Sequence, residues 1–273
     1  MSALADAPIW LIGCGNMGGA MLRRWTATGL DPHRVTVVTR GAADLPAGVR
    51  HLTAIPTTEK AGIVVLAVKP QQLETIAPSL AAVRPALLVS ILAGVEVAAL
   101  AARLPADAIV RAMPNLPVAI GKGVTALFAE AIDAEAGAMA EALAAPLGLV
   151  EWIDAEARFD AVTALAGCGP GFVFRFADAL AGAGVALGLP AAQAMRLAIA
   201  TLEGSAIMAA ASADTPATLA DRVASPGGST RKGLDVLDRD AALSALLRET
   251  LAASATRNAE MAAAARSAPG GAR

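Results

Sequence analysis

Apolar positions in the first half of the chain fall in short unbroken runs, separated by stretches of helical spacing. Ile9 to Ile12 is the first run; a glycine-rich turn and a helical stretch from Met17 to about Thr28 follow it. Val35 to Thr39, Ile63 to Val68, Leu87 to Ile91, Ala108 to Arg111, Val124 to Phe128 and Val150 to Ile153 repeat the theme. A run without polar alternation is what a strand covered on both faces looks like. Such runs alternating with helical segments predict a parallel sheet with helices on both sides, an α/β fold.

The pattern changes near residue 155. From about Ala157 no comparable run occurs, and apolar residues recur at helical spacing between Gly-Pro, Leu-Pro, Thr-Pro and Ser-Pro breaks. Pro190 suits the first turn of a helix through Met195, Ile199, Leu202 and Ala206, and another helix is expected from Ala241 to Ala265. The expected organisation is a sheet domain over residues 1–156 and an all-α domain over residues 157–273, with 267–273 a loose tail. The helical half is rich in Ala and Gly, and standing alone it would expose much apolar surface; a homodimer formed through it is expected. Phe172 to Leu189 is the most membrane-like stretch, but Arg175 and Asp178 interrupt it. A spanning helix needs about 20 largely apolar residues, so a helix buried in protein is expected, with no membrane partner.

Composition narrows the classes. The chain has 273 residues, a formal net charge of −2 and no long basic stretch, which argues against a nucleic-acid partner. Cys14 and Cys168 each lie between glycines with no CxxC spacing, so neither a disulfide framework nor a metal site is expected, and a cytoplasmic location fits. The opening segment MSALADAPIW lacks a basic region and carries Asp6, so no signal peptide is expected there.

The chemistry begins at Gly13-Cys14-Gly15-Asn16-Met17-Gly18, which follows an apolar strand and opens a helix. In that context Gly13 permits the tight turn, Gly15 lets the backbone approach a pyrophosphate, and Gly18 lets the helix pack against the strand. The free N–H groups of the helix start then favour phosphate charge. Cys14 reads as a small loop filler. At the end of the second strand, where NAD sites usually carry Asp or Glu, the chain has Thr39-Arg40. A guanidinium suits a 2′-phosphate, so NADPH is expected, with NADH possible; the alternative is a solvated turn residue. Ala67, Val68, Lys69 and Pro70 leave the third apolar run, Ala93 the next and Asn115 the one after, and residues leaving strand ends face the ligand crevice. Lys69 is placed against cofactor or substrate, and Asn115 against the nicotinamide.

A second cradle lies some two hundred residues on, at Ser225-Pro226-Gly227-Gly228-Ser229-Thr230, ahead of a helix expected to begin near Arg231. Gly227 and Gly228 can expose successive N–H groups to a carboxylate, with the helix terminus adding positive charge. From the residues alone, Ser229 and Thr230 also read as N-caps.

GCGNMG, AVKP, RAMPN, the stretch from Ala164 to Phe174 and VASPGGSTRKGL from Val223 to Leu234 together resemble the pyrroline-5-carboxylate reductase family, over essentially the whole chain. The resemblance implies a Rossmann domain, a helical dimerisation domain, sometimes assembly into larger rings, and NAD(P)H-dependent reduction of a cyclic imine to L-proline. It places Ile12 through Met17 in the dinucleotide loop, Arg40 at the adenosine ribose or its phosphate, and Ala67 through Pro70 and Ile91 through Ala93 against the cofactor. It also implies that Ser229 and Thr230 hold substrate, with Glu156 near another substrate position. Thr230 is the candidate catalytic hydroxyl, able to bond the ring nitrogen, and Glu156 could stabilise the iminium. The family's cofactor-contacting Asn has no counterpart between residues 52 and 57. The chain has no Tyr, which excludes a tyrosine acid, and His33 and His51 read as surface residues. Two other readings stand beside this one: a related imine or 3-hydroxyacid reductase, and a non-catalytic NADP-binding regulator. A hydroxyacid enzyme would carry a catalytic lysine in the helical half, where Lys232 of the second cradle is the sole lysine.

Overall fold

The computed structural model describes Leu4, residues 7–41 and residues 44–267. Asp6, with residues 1–3 and 5 of the opening segment, and the expected tail beyond Ser267 lie outside the described residues. The chain forms two compact units. One holds the residues up to Cys168 and those from Ser254 onward, and the other spans Gly169–Ala253. The units part twelve residues beyond the boundary expected at 156, counting from 156 to 168.

The first unit runs β1 (Ile9–Ile12), α1 (Asn16–Ala27), β2 (Val35–Val38), β3 (Arg50–Leu52), β4 (Ile63–Leu66), α2 (Leu73–Leu80), β5 (Leu87–Ser90), α3 (Val97–Ala101), β6 (Ala108–Pro114), β7 (Gly123–Phe128), α4 (Ala134–Ala144), β8 (Gly148–Trp152) and α5 (Phe159–Val162). The eight strands form one sheet in the order β3-β2-β1-β4-β5-β6-β7-β8. Alternate residues of β1, β2, β4 and β5 enter different cores. Ile9, Leu11, Val35, Val37, Ile63 and Val65 pack with Met21, Leu22 and Trp25 of α1 and with Met139 and Leu143 of α4. Trp10, Ile12, Val64 and Leu66 pack on the other face with Leu73 and Leu80 of α2 and Leu100 of α3. Each such side chain contributes roughly 1.5–3 kcal/mol by leaving water. The Trp25 indole N–H donates to the Leu143 carbonyl at 2.6 Å and ties α1 to α4.

Two departures from the expected sheet have physical causes. β7 runs antiparallel to β6, so the sheet is parallel only from β3 through β6, and β8 is parallel to β7. Only residues 115–122 join β6 to β7, too few for the crossover of about a dozen residues that a parallel partner needs. β3 was not anticipated because its residues, Arg50, His51 and Leu52, are few, largely exposed and mostly polar.

The second unit contains α6 (Gly169–Ala186), α7 (Ala191–Ala211), α8 (Pro216–Arg222), α9 (Ser229–Asp238) and the beginning of α10 (Ala242–Ser267). Pro190 stands one residue before α7 rather than in its first turn. Asp240 and Ala241 adopt left-handed backbone, φ 53° and 55°, so α10 begins one residue later than expected. The core here is made of small residues, with Ala181, Ala194 and Ala198 packed together. In the single chain α6 buries only Ala177 and Ala181 and leaves Phe174, Phe176 and Val185 exposed, so the expectation of a buried helix is corrected there. Among the described residues, Ala191–Ala211 is long and apolar enough to cross a membrane by length and composition.

Candidate active site

The parallel strands β1, β4, β5 and β6 bring their carboxyl ends to one edge of the sheet. Four sequence-selected segments gather along it: residues 13–18 after β1, Ala67–Pro70 after β4, Ala93 after β5 and Asn115 after β6. Gly13 has φ +93°, and a Cβ there would stand 2.6 Å from the Ala67 carbonyl oxygen. Its N–H donates to the Val38 carbonyl at 2.9 Å, which joins the turn to β2. Gly15 caps α1 without a side-chain bond, and a Cβ on it would meet nothing within 4 Å. A Cβ on Gly18 would lie 3.0 Å from that of Ala67, so this glycine lets α1 close on β4. The loop is therefore tight where it folds back and open where a phosphate would stand, which fits a dinucleotide pyrophosphate. Ile12 is buried below the turn, Asn16 is exposed at the helix start and Met17 is half-buried. Burial is the main influence on the Cys14 thiol and pushes it up, with Arg23 pulling less strongly the other way. A thiol held protonated is a poor nucleophile, in keeping with a filler.

At the end of β2, Thr39 donates its N–H to the Leu52 carbonyl at 3.0 Å, and its own carbonyl lies 3.1 Å from His51 Nε2. Arg40 follows, exposed, with no carboxylate partner among the described residues. The half-buried Ala67 and Val68 lead to the exposed Lys69, whose N–H donates to the Gln72 side chain at 3.2 Å. Ala93 is exposed beside Gly94, which takes φ +71°.

Asn115 does something the sequence did not indicate. Its Oδ1 accepts the Val124 N–H at 2.8 Å, and its Nδ2 donates to the Ala166 carbonyl at 2.9 Å. That carbonyl would ordinarily meet the N–H four residues on, but Pro170 has none. The segment Thr163–Gly167 is wound as a π-helix just before this point. Asn115 thus staples β6, β7 and the helical segment leaving the first unit, and both ends of its amide are engaged in the protein.

Glu156 is also committed. Its Oε1 accepts the Val97 N–H at the start of α3 and the Arg111 Nη1–H, both at 3.0 Å. Arg111 stands over the Phe159 ring, 4.4 Å from its centroid. These groups line a cavity of about 230 Å³. The charge of Glu156, expected near a substrate position, is balanced by a guanidinium whose side chain is only 8% exposed. Arg111 was missed as a partner, although an arginine inside the apolar run of β6 was its signal.

In the second unit the Gly228 N–H donates to the Ser225 carbonyl at 2.9 Å, and Gly227 takes φ +73°. Gly228 is the N-cap of α9 and supplies no side-chain bond. Ser229 and Thr230 are therefore the first residues of the helix, not its caps, and α9 starts ahead of the expected Arg231. Both are exposed, with no side-chain partner among the described residues. Arg231 binds Asp221 of α8 and Asp235 and Asp238 of α9 at 3.3, 2.8 and 3.0 Å, and these bonds, Asp235 first, hold its guanidinium above its ordinary range. The turn is thus anchored behind, with N–H groups and two hydroxyls left facing outward.

A glycine cradle at the carboxyl edge of a parallel sheet, with an arginine rather than an acid closing β2, defines the class: an NADP-using oxidoreductase with a Rossmann domain and a helical domain. The profile described as "NADP oxidoreductase coenzyme F420-dependent" matches residues 8–94, and "Pyrroline-5-carboxylate reductase dimerisation" matches residues 156–261. The chain is 36% identical over 265 residues to the pyrroline-5-carboxylate reductase of Pseudomonas aeruginosa, covering 93% of this chain and 96% of that one. It is 39% identical over 251 residues to that of Thermus thermophilus, covering 89% and 94%. Among solved structures, a pyrroline-5-carboxylate reductase from Coxiella burnetii superposes with TM-score 0.83 at 32% identity, covering 93% and 98% of the two chains. The Plasmodium falciparum pyrroline carboxylate reductase with NADP bound gives TM-score 0.81 at 25% identity, covering 94% and 98%. The chain belongs to the pyrroline-5-carboxylate reductase family.

Proposed function

We propose that this chain reduces 1-pyrroline-5-carboxylate to L-proline with NADPH, the last step of proline biosynthesis. The observation that carries the reading is the pairing, in one chain of this family, of the open glycine cradle with the anchored turn ahead of α9. NADPH, when bound, supplies the hydride to the imine carbon, and one proton from solvent completes the amine nitrogen. Gly13, Gly15 and Gly18 shape the pyrophosphate seat, Ile12, Cys14, Asn16 and Met17 complete the loop, and Thr39 and Arg40 receive the adenosine ribose with its 2′-phosphate. Ala67, Val68, Lys69, Pro70 and Ala93 border the cofactor along the same edge. Asn115 braces the nicotinamide end through backbone it holds rather than through a free amide.

Gly227, Gly228 and the first N–H groups of α9 hold the substrate carboxylate, aided by the helix terminus and by Ser229. The Thr230 hydroxyl bonds the ring nitrogen and orients the carbon–nitrogen double bond; a hydroxyl this weakly acidic passes on a proton that water supplies. Glu156 acts at a distance, by fixing Arg111 and the start of α3. The protein's contribution is orientation and electrostatics. We further propose a homodimer through the helical unit, higher rings being an extension of it, a cytoplasmic location with no membrane partner, and use of NADH at lower efficiency.

The test is oxidation of NADPH and of NADH by the purified chain with 1-pyrroline-5-carboxylate, against a panel of other cyclic imines and 3-hydroxyacids, with proline quantified as product. Proline formed in step with NADPH oxidation is expected. Binding of NADPH with no imine-dependent oxidation would refute the reading.

A further inference from the structure

The amino-terminal edge of the sheet, opposite the cofactor edge, carries a second polar cavity. Register places Trp10 of β1 beside Thr36 of β2, and Thr36 beside Arg50 of β3. This row borders an open cavity of about 470 Å³, which Pro8, His33, Arg34 and, from the loop before β4, Glu59 and Lys60 also line. Trp10 is 1% exposed and Thr36 8%. Neither the Trp10 indole N–H nor the Thr36 hydroxyl has a hydrogen-bond partner among the described residues, whereas the indoles of Trp25 and Trp152 donate to Leu143 and Glu141. Both residues line the cavity. A buried indole N–H ordinarily finds an acceptor.

Beyond the Arg50–Glu59 pair, the charges around these donors are positive. Arg34 is pinned through Nη2 to the carbonyls of Leu4 and Ala7, both at 3.0 Å; these are neutral partners, and no carboxylate balances its charge among the described residues. Lys60 meets no carboxylate among the described residues. Glu59, the acid of the cavity, is held by Arg50 through two bonds of 2.6 and 2.8 Å. What remains is a guanidinium, an ammonium, an indole N–H and a hydroxyl around one space.

We propose that this cavity binds a phosphate group, either inorganic phosphate or a phosphomonoester of a small molecule. A dianion matches the unbalanced charge of Arg34 and Lys60, and three or four oxygens match the four donors. A cation would be repelled, and an apolar guest would leave the indole and the hydroxyl unpaired. The site is distinct from the pyrophosphate seat, since it lies at the opposite ends of the same strands.

The test follows the three indole N–H resonances of ¹⁵N-tryptophan-labelled protein saturated with NADPH, so that the cofactor's own phosphate seats are filled. Inorganic phosphate, and separately ribose 5-phosphate, replaces chloride at constant ionic strength. Trp10→Phe assigns the resonance; Thr36→Val and Lys60→Gln, which leave the core intact, carry the affinity test. The Trp10 signal is expected to shift saturably while those of Trp25 and Trp152 stay, and each variant weakens binding by roughly fivefold or more. Tighter saturation by ribose 5-phosphate identifies a phosphomonoester site, and equal or tighter saturation by inorganic phosphate a free-phosphate site; both uphold the proposal. No shift with either probe, three indoles moving together, or unchanged affinity in both variants would overturn it.

Discussion

Thr230 sits in the first turn of α9 with its hydroxyl exposed and uncommitted to capping, so replacing it disturbs no bond within the fold. Thr230→Ala is expected to lower kcat/KM for the imine by about ten- to a hundredfold, which is roughly 1.4–2.7 kcal/mol of transition-state stabilisation. NADPH affinity measured by fluorescence should stay unchanged, and Thr230→Ser should recover most of the rate. Arg40 has no side-chain partner among the described residues, and Arg40→Ala should raise KM for NADPH by about tenfold or more while leaving KM for NADH nearly where it was. Steady-state kinetics with the two cofactors checks this. Both residues were legible in the sequence because their neighbours, glycines and a strand end, state where the backbone must go. The start of α9 was read two residues late because glycine also serves as an N-cap, and nothing in a Gly-Gly-Ser-Thr string says which residue takes that place. The partner of Glu156 was not legible for another reason: Arg111 lies 45 residues away, beyond the reach of any local pattern.

Elements meet at two braces, and each yields an expectation. Asn115 satisfies the Val124 N–H and the Ala166 carbonyl orphaned by Pro170. Asn115→Ala should cost roughly 1–3 kcal/mol for each partner left unpaired, seen as a lower denaturant midpoint at fixed protein concentration. Asn115→Asp, which keeps the acceptor and loses the donor, should fall between. At the second brace, Glu156→Ala strands the buried Arg111 guanidinium and should destabilise by about 3 kcal/mol, whereas Glu156→Gln, which can still accept both hydrogen bonds, should cost less. If Glu156→Ala lowered activity with no change in midpoint, the bracing role would be wrong. Strands covered on both faces were legible as unbroken apolar runs. The reversal of β7 was not, because strand direction follows from connection length rather than from residue pattern, and β3 carries no pattern to read.

At the scale of the whole molecule, the helical unit exposes what a solitary protein would bury. Phe174 is 60% exposed, Ile207 63% and Leu246 62%. A sedimentation experiment should give at least twice the chain mass, and Phe174→Glu should shift the distribution toward the monomer; a wild-type monomer at micromolar concentration would contradict the dimer. The expectation of a helix buried in protein was drawn from composition, which cannot distinguish burial within a chain from burial between two chains. The account as a whole turns on where the substrate's acid group is held. A crystal of the full chain grown with NADP⁺ and L-proline should show the proline carboxylate on the N–H groups opening α9, beside Thr230, with the ring facing the nicotinamide. Proline bound elsewhere with the first turn of α9 vacant would contradict it.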